Sequence, residues 1–314
     1  QLFDMMTTEE LHDRKDATMA EFLTSNGLGE ALLPLATAIW ASDRGSSVES
    51  AGIFECQMAE RGWQYGDTDS MPDSSTFQPL IDHLSEPLRG KIRLNCVVTR
   101  IDSSSSDDDR RRNGCDTVAV EYVITGSDNI SRGSDMLQTL VARAVIVSVP
   151  LPVLQRGIIR FTPPLSVERQ EALARLQAFP ILGIILRFRE RPWPKHMNNA
   201  QIACGGTCPV PDFTLKESKN ESNKPICTAT CFIVEKKAEY FRSLLTDEAR
   251  VKVALDQLDA MFPKTSAKAS DQASNILPSS VYMDSYQKDW GEHPYVWCGY
   301  SSPSPRAWMG RFNG

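Results

Sequence analysis

Hydrophobic residues recur at helical spacing over residues 17–23 and 31–40. Between the two runs stands Ser25-Asn26-Gly27, whose Asn and Gly tolerate the left-handed conformation that ends helices. The first 65 residues therefore read as helical. A further helix is expected at 77–88, with Leu80, Ile81, Leu84 and Leu88 on one face. The period then shortens, and three apolar runs, 92–101, 118–124 and 140–149, predict strands. Residues 91–150 would thus form an antiparallel meander. The link at 103–114, built of Ser, Asp and Arg, is too polar to order itself by burial and is expected as a solvated hairpin tip.

Beyond Pro163-Pro164 the pattern gives a helix at 167–177 and a strongly apolar strand at 180–188, closed by Arg191-Pro192-Trp193-Pro194. Residues 200–204 and 226–234 read as strands flanking a polar loop at 216–224. Thr246 then caps a helix with Asp247 and Glu248 in its first turn, and Val251, Leu255, Leu258 and Phe262 form one apolar stripe. That is a one-faced helix packed on a sheet. No internal repeat of fixed period is visible.

Composition narrows the classes. With 314 residues, 41% hydrophobic and 24% charged, the chain can bury a sizeable core as one large domain or two. Its 40 acidic against 34 basic residues give a net charge of −6, and no basic run offers a groove for nucleic acid. The longest apolar stretches, 144–154 and 179–186, are shorter than the roughly 18 residues of a membrane span. No targeting segment is readable at Gln1, so the compartment stays open. Eight cysteines are too few for a disulfide scaffold and slightly favour a reducing compartment. The sequons Asn129-Ile130-Ser131 and Asn220-Glu221-Ser222 pull the other way.

Gly27-Leu28-Gly29 lacks both the preceding strand and the third small residue of a dinucleotide fingerprint, so it is expected as a helix-ending turn. Cys204 and Cys208, with Cys227 and Cys231 and His196 nearby, have a spacing that could hold zinc. In a strand, however, residues four apart share a face, and Cys227 and Cys231 fit a packed sheet equally. The packed reading is preferred and no metal site is expected. No nucleophile elbow, phosphate-binding P-loop or zinc-protease helix motif occurs.

Five stretches are more specific. Asn95-Cys-Val-Val-Thr-Arg-Ile101 is followed by Ala144-Val-Ile-Val-Ser-Val-Pro-Leu-Pro-Val-Leu154 and Ile159-Arg-Phe-Thr-Pro-Pro-Leu165. Leu186-Arg-Phe188 with Pro192-Trp193-Pro194, and then Trp290-Gly-Glu-His-Pro-Tyr-Val-Trp-Cys-Gly-Tyr300, come in the same order. Together they resemble the flavin-dependent amine oxidase family, which includes polyamine oxidases, monoamine oxidases and lysine-specific histone demethylases. The match is collinear from about residue 77 to 302 and covers the family's central portion.

The resemblance implies a mixed α/β, two-domain flavin amine oxidase-like fold, with an incomplete FAD-binding domain and a mixed-sheet substrate domain. Residues 1–65 would be a helical part of the substrate domain, 66–165 the meander of the FAD domain, 166–289 the substrate domain, and 290–314 the start of a closing FAD segment. Val98 would offer its backbone to the adenine end of FAD, with Ser148, Val149 and Pro150 beside the cofactor. Trp290 and Tyr295 would wall the flavin, and Tyr300 the substrate amine. The parent reaction is oxidation of an amine to an imine, then aldehyde, with release of peroxide. Its substrate is a small-molecule polyamine or other amine.

Two departures shape the expectation. The family's dinucleotide strand, glycine turn and ribose-binding acid belong before the region where this chain begins, and its last flavin-binding helix belongs after Gly314; the chain reads as a fragment that binds FAD weakly or not at all. Many members also carry a lysine near the flavin ring where Gly183 stands. The competing expectation is a catalytically inactive scaffold, or a subunit of a larger assembly with protein partners.

Overall fold

Thr18 opens the first helix, α1 (Met19–Ser25). Its side-chain oxygen accepts the Glu21 N–H at 3.1 Å while the Glu21 carboxylate accepts the Thr18 N–H at 2.8 Å, satisfying two donors that a helix start otherwise leaves bare. The helix ends where the sequence predicts: Asn26 Nδ2 donates to the Phe22 carbonyl at 2.8 Å, and Gly27 takes a φ of 91°. A 3₁₀ turn (Glu30–Leu32) and α2 (Leu33–Arg44) follow, so Gly27-Leu28-Gly29 joins helix to helix. The computed structural model describes residues 17–54, 56, 57, 76–104, 117–125, 137–219, 223, 225–263, 276–299, 301, 302, 304 and 305.

The chain divides into two units, one of Gln1–Gln57, Pro150–Pro152 and Glu171–Gly314, the other of Met58–Val149 and Val153–Gln170. In the second, α3 (Gln78–Ser85) runs into a 3₁₀ turn (Glu86–Leu88) and exposes Leu80, Ile81, Leu84 and Leu88. Three strands then pair in succession, β1 (Cys96–Asp102), β2 (Val118–Ile124) and β3 (Leu137–Ala142), all antiparallel. After the short helix α4 (Leu151–Gln155), β4 (Arg160–Thr162) joins the far side of β1 in parallel, giving the order β3-β2-β1-β4. The meander is therefore present. Residues 105–114 of its hairpin link lie outside the described residues.

The third strand corrects the expectation of 140–149. β3 pairs with β2 from Leu137 opposite Val123 to Ala142 opposite Val118, where β2 begins. Beyond Ala142 the described residues offer no partner backbone, and residues 144–150 run outside any sheet, with Ile146 93% exposed. An apolar run becomes a strand only where its N–H and C=O groups find a ladder.

In the first unit, α5 (Val167–Arg175), which the chain enters from the second unit, leads to β5 (Gln177–Ala178) and β6 (Ile181–Phe188). A five-stranded sheet is completed by β7 (Gln201–Ala203), β8 (Asp212–Lys219), β9 (Pro225–Val234) and, after the helices α6 (Glu235–Ser243), α7 (Asp247–Met261) and α8 (Pro278–Val281), β10 (Tyr282–Asp289). Its order, β10-β6-β9-β8-β7, is antiparallel throughout, so the parallel pairing lies in the four-stranded sheet. The expected polar loop at 216–224 gives way to β8 as far as Lys219. Phe213 and Leu215 are buried while Thr214 and Lys216 are exposed, which is the alternation of a half-covered strand.

Leu182, Ile184, Leu186 and Phe188 of β6 meet Cys227, Ala229, Cys231 and Ile233 of β9 in one core with Phe241 of α6 and Val251, Ala254, Leu255 and Leu258 of α7. The Thr246 cap is present, its oxygen accepting the Ala249 N–H at 3.1 Å. Burying each of these large side chains contributes about 2 kcal/mol. Among the described residues α6 and α7 pack on this face, while the middle of the other face, at Gly183, Ile185 and Arg187, stays half-buried to exposed.

Candidate functional site

The uncovered face follows from strand alternation. On β6 it carries Gly183, Ile185 and Arg187, between the core residues Leu182, Ile184 and Leu186. Register sets Asp284, Tyr286 and Lys288 of β10 directly opposite Arg187, Ile185 and Gly183. On the other side of β6, Phe232, Thr230 and Thr228 of β9 stand opposite the same three residues. Ile185 and Tyr286 are 38% and 64% exposed, an apolar surface on an otherwise well-packed sheet. Arg187 and Asp284 form an ion pair on that face, which raises the guanidinium's pKa and lowers that of the carboxylate.

Residues 290–299 turn back over the end of this face. Asp289 fixes the turn: Arg242 donates to its two oxygens at 2.7 and 2.5 Å, and the Gly291 N–H reaches Oδ1 at 2.9 Å. Burial pushes the Asp289 carboxyl up, but the Arg242 guanidinium and the backbone donors more than offset it, and the net shift is downward. Gly299 then lies so close to β6 that a Cβ would stand 1.8 Å from Ile181 Cδ1. Within this segment Trp290 and His293 have ring centroids 5.8 Å apart, and His293 and Tyr295 6.3 Å. The Lys288 ammonium stands 5.1 Å from the Trp290 ring centroid.

Two of the expected wall residues, Trp290 and Tyr295, are thus gathered around His293 and remain 42% and 49% exposed. Tyr300 lies outside the described residues. Gly183 sits in the same face, and a Cβ built on it would find its nearest neighbour, the Lys288 carbonyl oxygen, at 4.0 Å. Neither φ nor packing demands glycine there. Lys288 and His293 were not legible as site residues, because strand register alone brings Lys288 opposite Gly183.

In the second unit, Val98 lies in the half of β1 that β4 does not reach, since β4 pairs only with Arg100–Asp102. Among the described residues one backbone edge at Val98 is therefore unpaired. Ser148 is exposed and Val149 half-buried in the extended run after β3; Pro150, half-buried, is grouped with the first unit. Among the described residues no glycine-rich strand-to-helix turn is present to cradle a pyrophosphate.

The cysteine pairs have a packing role. Cys227 and Cys231 point into the core from β9 as free thiols, and burial pushes the Cys227 thiol up to about 11 and that of Cys231 higher still. Cys204 is buried and Cys208 half-buried, and the Lys237 ammonium donates to the Cys208 carbonyl at 2.5 Å. Among the described residues no three potential metal ligands are grouped, and no helix is long and apolar enough to cross a membrane.

Comparison with known proteins agrees with this architecture. Cyclohexylamine oxidase from Brevibacterium oxydans superposes with a TM-score of 0.64 at 15% identity, covering 97% of this chain and 60% of its own. Mouse lysine-specific histone demethylase 1B is 29% identical over 152 residues, 46% of this chain and 16% of that protein. Polyamine oxidase 2 of Arabidopsis thaliana is 45% identical over 58 residues, 18% of this chain and 12% of its own. The chain thus spans less than two thirds of the length of the relatives it matches. The family model of the flavin containing amine oxidoreductases matches residues 10–312. The chain belongs to that family, whose cofactor is FAD.

Proposed function

We propose that the protein takes part in oxidation of a small-molecule amine to an imine, with the uncovered face of the five-stranded sheet as the amine side of the site. The observation that carries this reading is the cluster of Trp290, His293 and Tyr295 over the end of that face, beside the notch at Gly183. Flavin, when bound, supplies the acceptor for the hydride leaving the carbon next to nitrogen.

The chain's own residues would do the rest. Trp290 and Tyr295 offer apolar ring surface to the amine, which disfavours the protonated form that must lose its proton before oxidation; Tyr300 is assigned to the amine by the family resemblance. Asp289 and Arg242 hold the turn that presents Trp290. In the second unit, Val98 is assigned to the adenine end of FAD and Ser148 and Val149 to its side; Pro150 is assigned to the cofactor in the first. In the parent reaction water would hydrolyse the imine to an aldehyde, and dioxygen would take up the two electrons and two protons as peroxide.

The test is anaerobic mixing of the flavin-supplemented protein with benzylamine, putrescine and spermidine, following flavin absorbance. Bleaching with at least one amine is expected, and an unchanged spectrum with all three would overturn the reading. A second reading, a non-catalytic scaffold of the same fold, is favoured by Gly183, which leaves the strand without an ionisable group there. The unchanged spectrum is the outcome it requires.

A further inference from the structure

The ring face of Trp290 already has an occupant. Lys288 approaches it with its ammonium 5.1 Å from the centroid, within cation–π range. Among the described residues Lys288 has no carboxylate partner: neighbouring Asp289 is held by Arg242, and Asp284 on the same face by Arg187. Opposite Lys288, β6 offers only Gly183, so no side chain there competes for the space beside the ammonium. We propose that Lys288 is a built-in occupant of the cation-binding surface of Trp290, a specificity-determining residue that makes the site discriminate against ligands arriving with a positive charge. The proposal rests on the amine-site reading above and deepens it.

The physical consequence is selective. A ligand ammonium seeking the aromatic face meets both a ring that is engaged and a like charge a few ångströms away, whereas a neutral amine meets neither penalty. Molecules with a second ammonium are disfavoured further when that charge falls near Lys288. The favoured substrates are monoamines bound neutral, with an apolar body against Ile185, Tyr286 and Tyr295.

The test is calorimetric titration of the protein with benzyltrimethylammonium, whose charge cannot be lost, and with benzylamine. Lys288→Met should bind the quaternary ion at least about fivefold more tightly than wild type, and Lys288→Gln should do the same. Lys288→Arg should stay at the wild-type level, and adding Trp290→Ala to Lys288→Met should abolish the gain. Equal binding of the quaternary ion by wild type and Lys288→Met, with benzylamine still bound, would overturn this proposal and leave the amine site standing. A gain that survives Trp290→Ala would overturn it too. No binding of either ligand by any of these proteins would overturn both readings together.

Discussion

Arg242 on α6 and Asp289 at the end of β10 share two hydrogen bonds across 47 residues of sequence, and through Asp289 the helix governs the turn that carries Trp290. Both side chains are mostly buried, so removing the charge of one leaves the other uncompensated. Asp289→Asn should lower stability by about 1–3 kcal/mol at pH 7. The carboxyl's folded pKa lies below its ordinary value, so its contribution is complete above the unfolded pKa near 4 and is lost as pH falls through the folded value. Urea midpoints of wild type and variant should therefore differ at pH 7 and converge on acidification towards pH 2. A constant gap at every pH would refute the linkage.

Flavin retention should be poor. The pyrophosphate is the part of FAD that most needs a glycine turn at a helix N-terminus, and the described residues hold no such turn. Protein consisting of these 314 residues, purified without added cofactor, should carry much less than one flavin per chain through gel filtration, as read by the ratio of visible to ultraviolet absorbance. A yellow, near-stoichiometric protein would contradict this.

Gly183→Ala should be tolerated or mildly stabilising, by about 0.5–1 kcal/mol, because glycine in a strand interior costs entropy and this one has neither a positive φ nor a neighbour closer than 4.0 Å to the added Cβ. A fall in melting temperature would mean that the notch is structurally required.

How far the sequence reveals this molecule depends on which force shapes each part. The stripe Val251, Leu255, Leu258 behind Thr246 is a local signal of cap and period, and it predicts α7 closely. The even–odd pattern of β6 and β9, with Cys227 and Cys231 on one face, is equally local. β8 and β10 are hidden because their outward residues, Lys216 and Ser218 on one and Asp284 and Lys288 on the other, give a half-exposed strand the composition of a loop. The extended run through Ser148 and Val149 is misread for the opposite reason: it is apolar without a partner strand. Trp290 and Tyr295 stand out as aromatics in a short segment, whereas the juxtaposition of Lys288 with Gly183 is a matter of register, 105 residues apart in the chain, and no local pattern encodes it.

The buried thiols should be chemically quiet. Cys227 and Cys231 face the core, and burial raises both pKa values, so little thiolate exists at pH 8. In the native protein iodoacetamide should modify half-buried Cys96 well before Cys227 or Cys231, as read by peptide mass spectrometry. Comparable rates would show that β9 is not packed as described.

Gly299→Ala tests how the covering segment sits on β6. The added methyl would lie 1.8 Å from Ile181 Cδ1, 2.3 Å from Cγ1 and 2.9 Å from Cβ. The last of these matters most, because Cβ moves only with the strand itself and a rotamer change cannot relieve it. Gly299 is also anchored, its N–H donating to the Phe179 carbonyl at 3.0 Å, so the segment cannot lift without losing that bond. Overpacking of this kind costs about 1–3 kcal/mol. Ile181→Ala alone should also destabilise, by removing apolar contact with Val234 and Phe232, but it takes away Cδ1 and Cγ1, the two atoms nearest the new methyl, and leaves only its own Cβ in close contact. The double variant should then be more stable than the sum of the two single losses predicts, with a coupling of at least about 1 kcal/mol in denaturant unfolding. Strict additivity would mean that the two residues do not touch, and that the segment bearing Trp290 and Tyr295 closes the sheet in some other way.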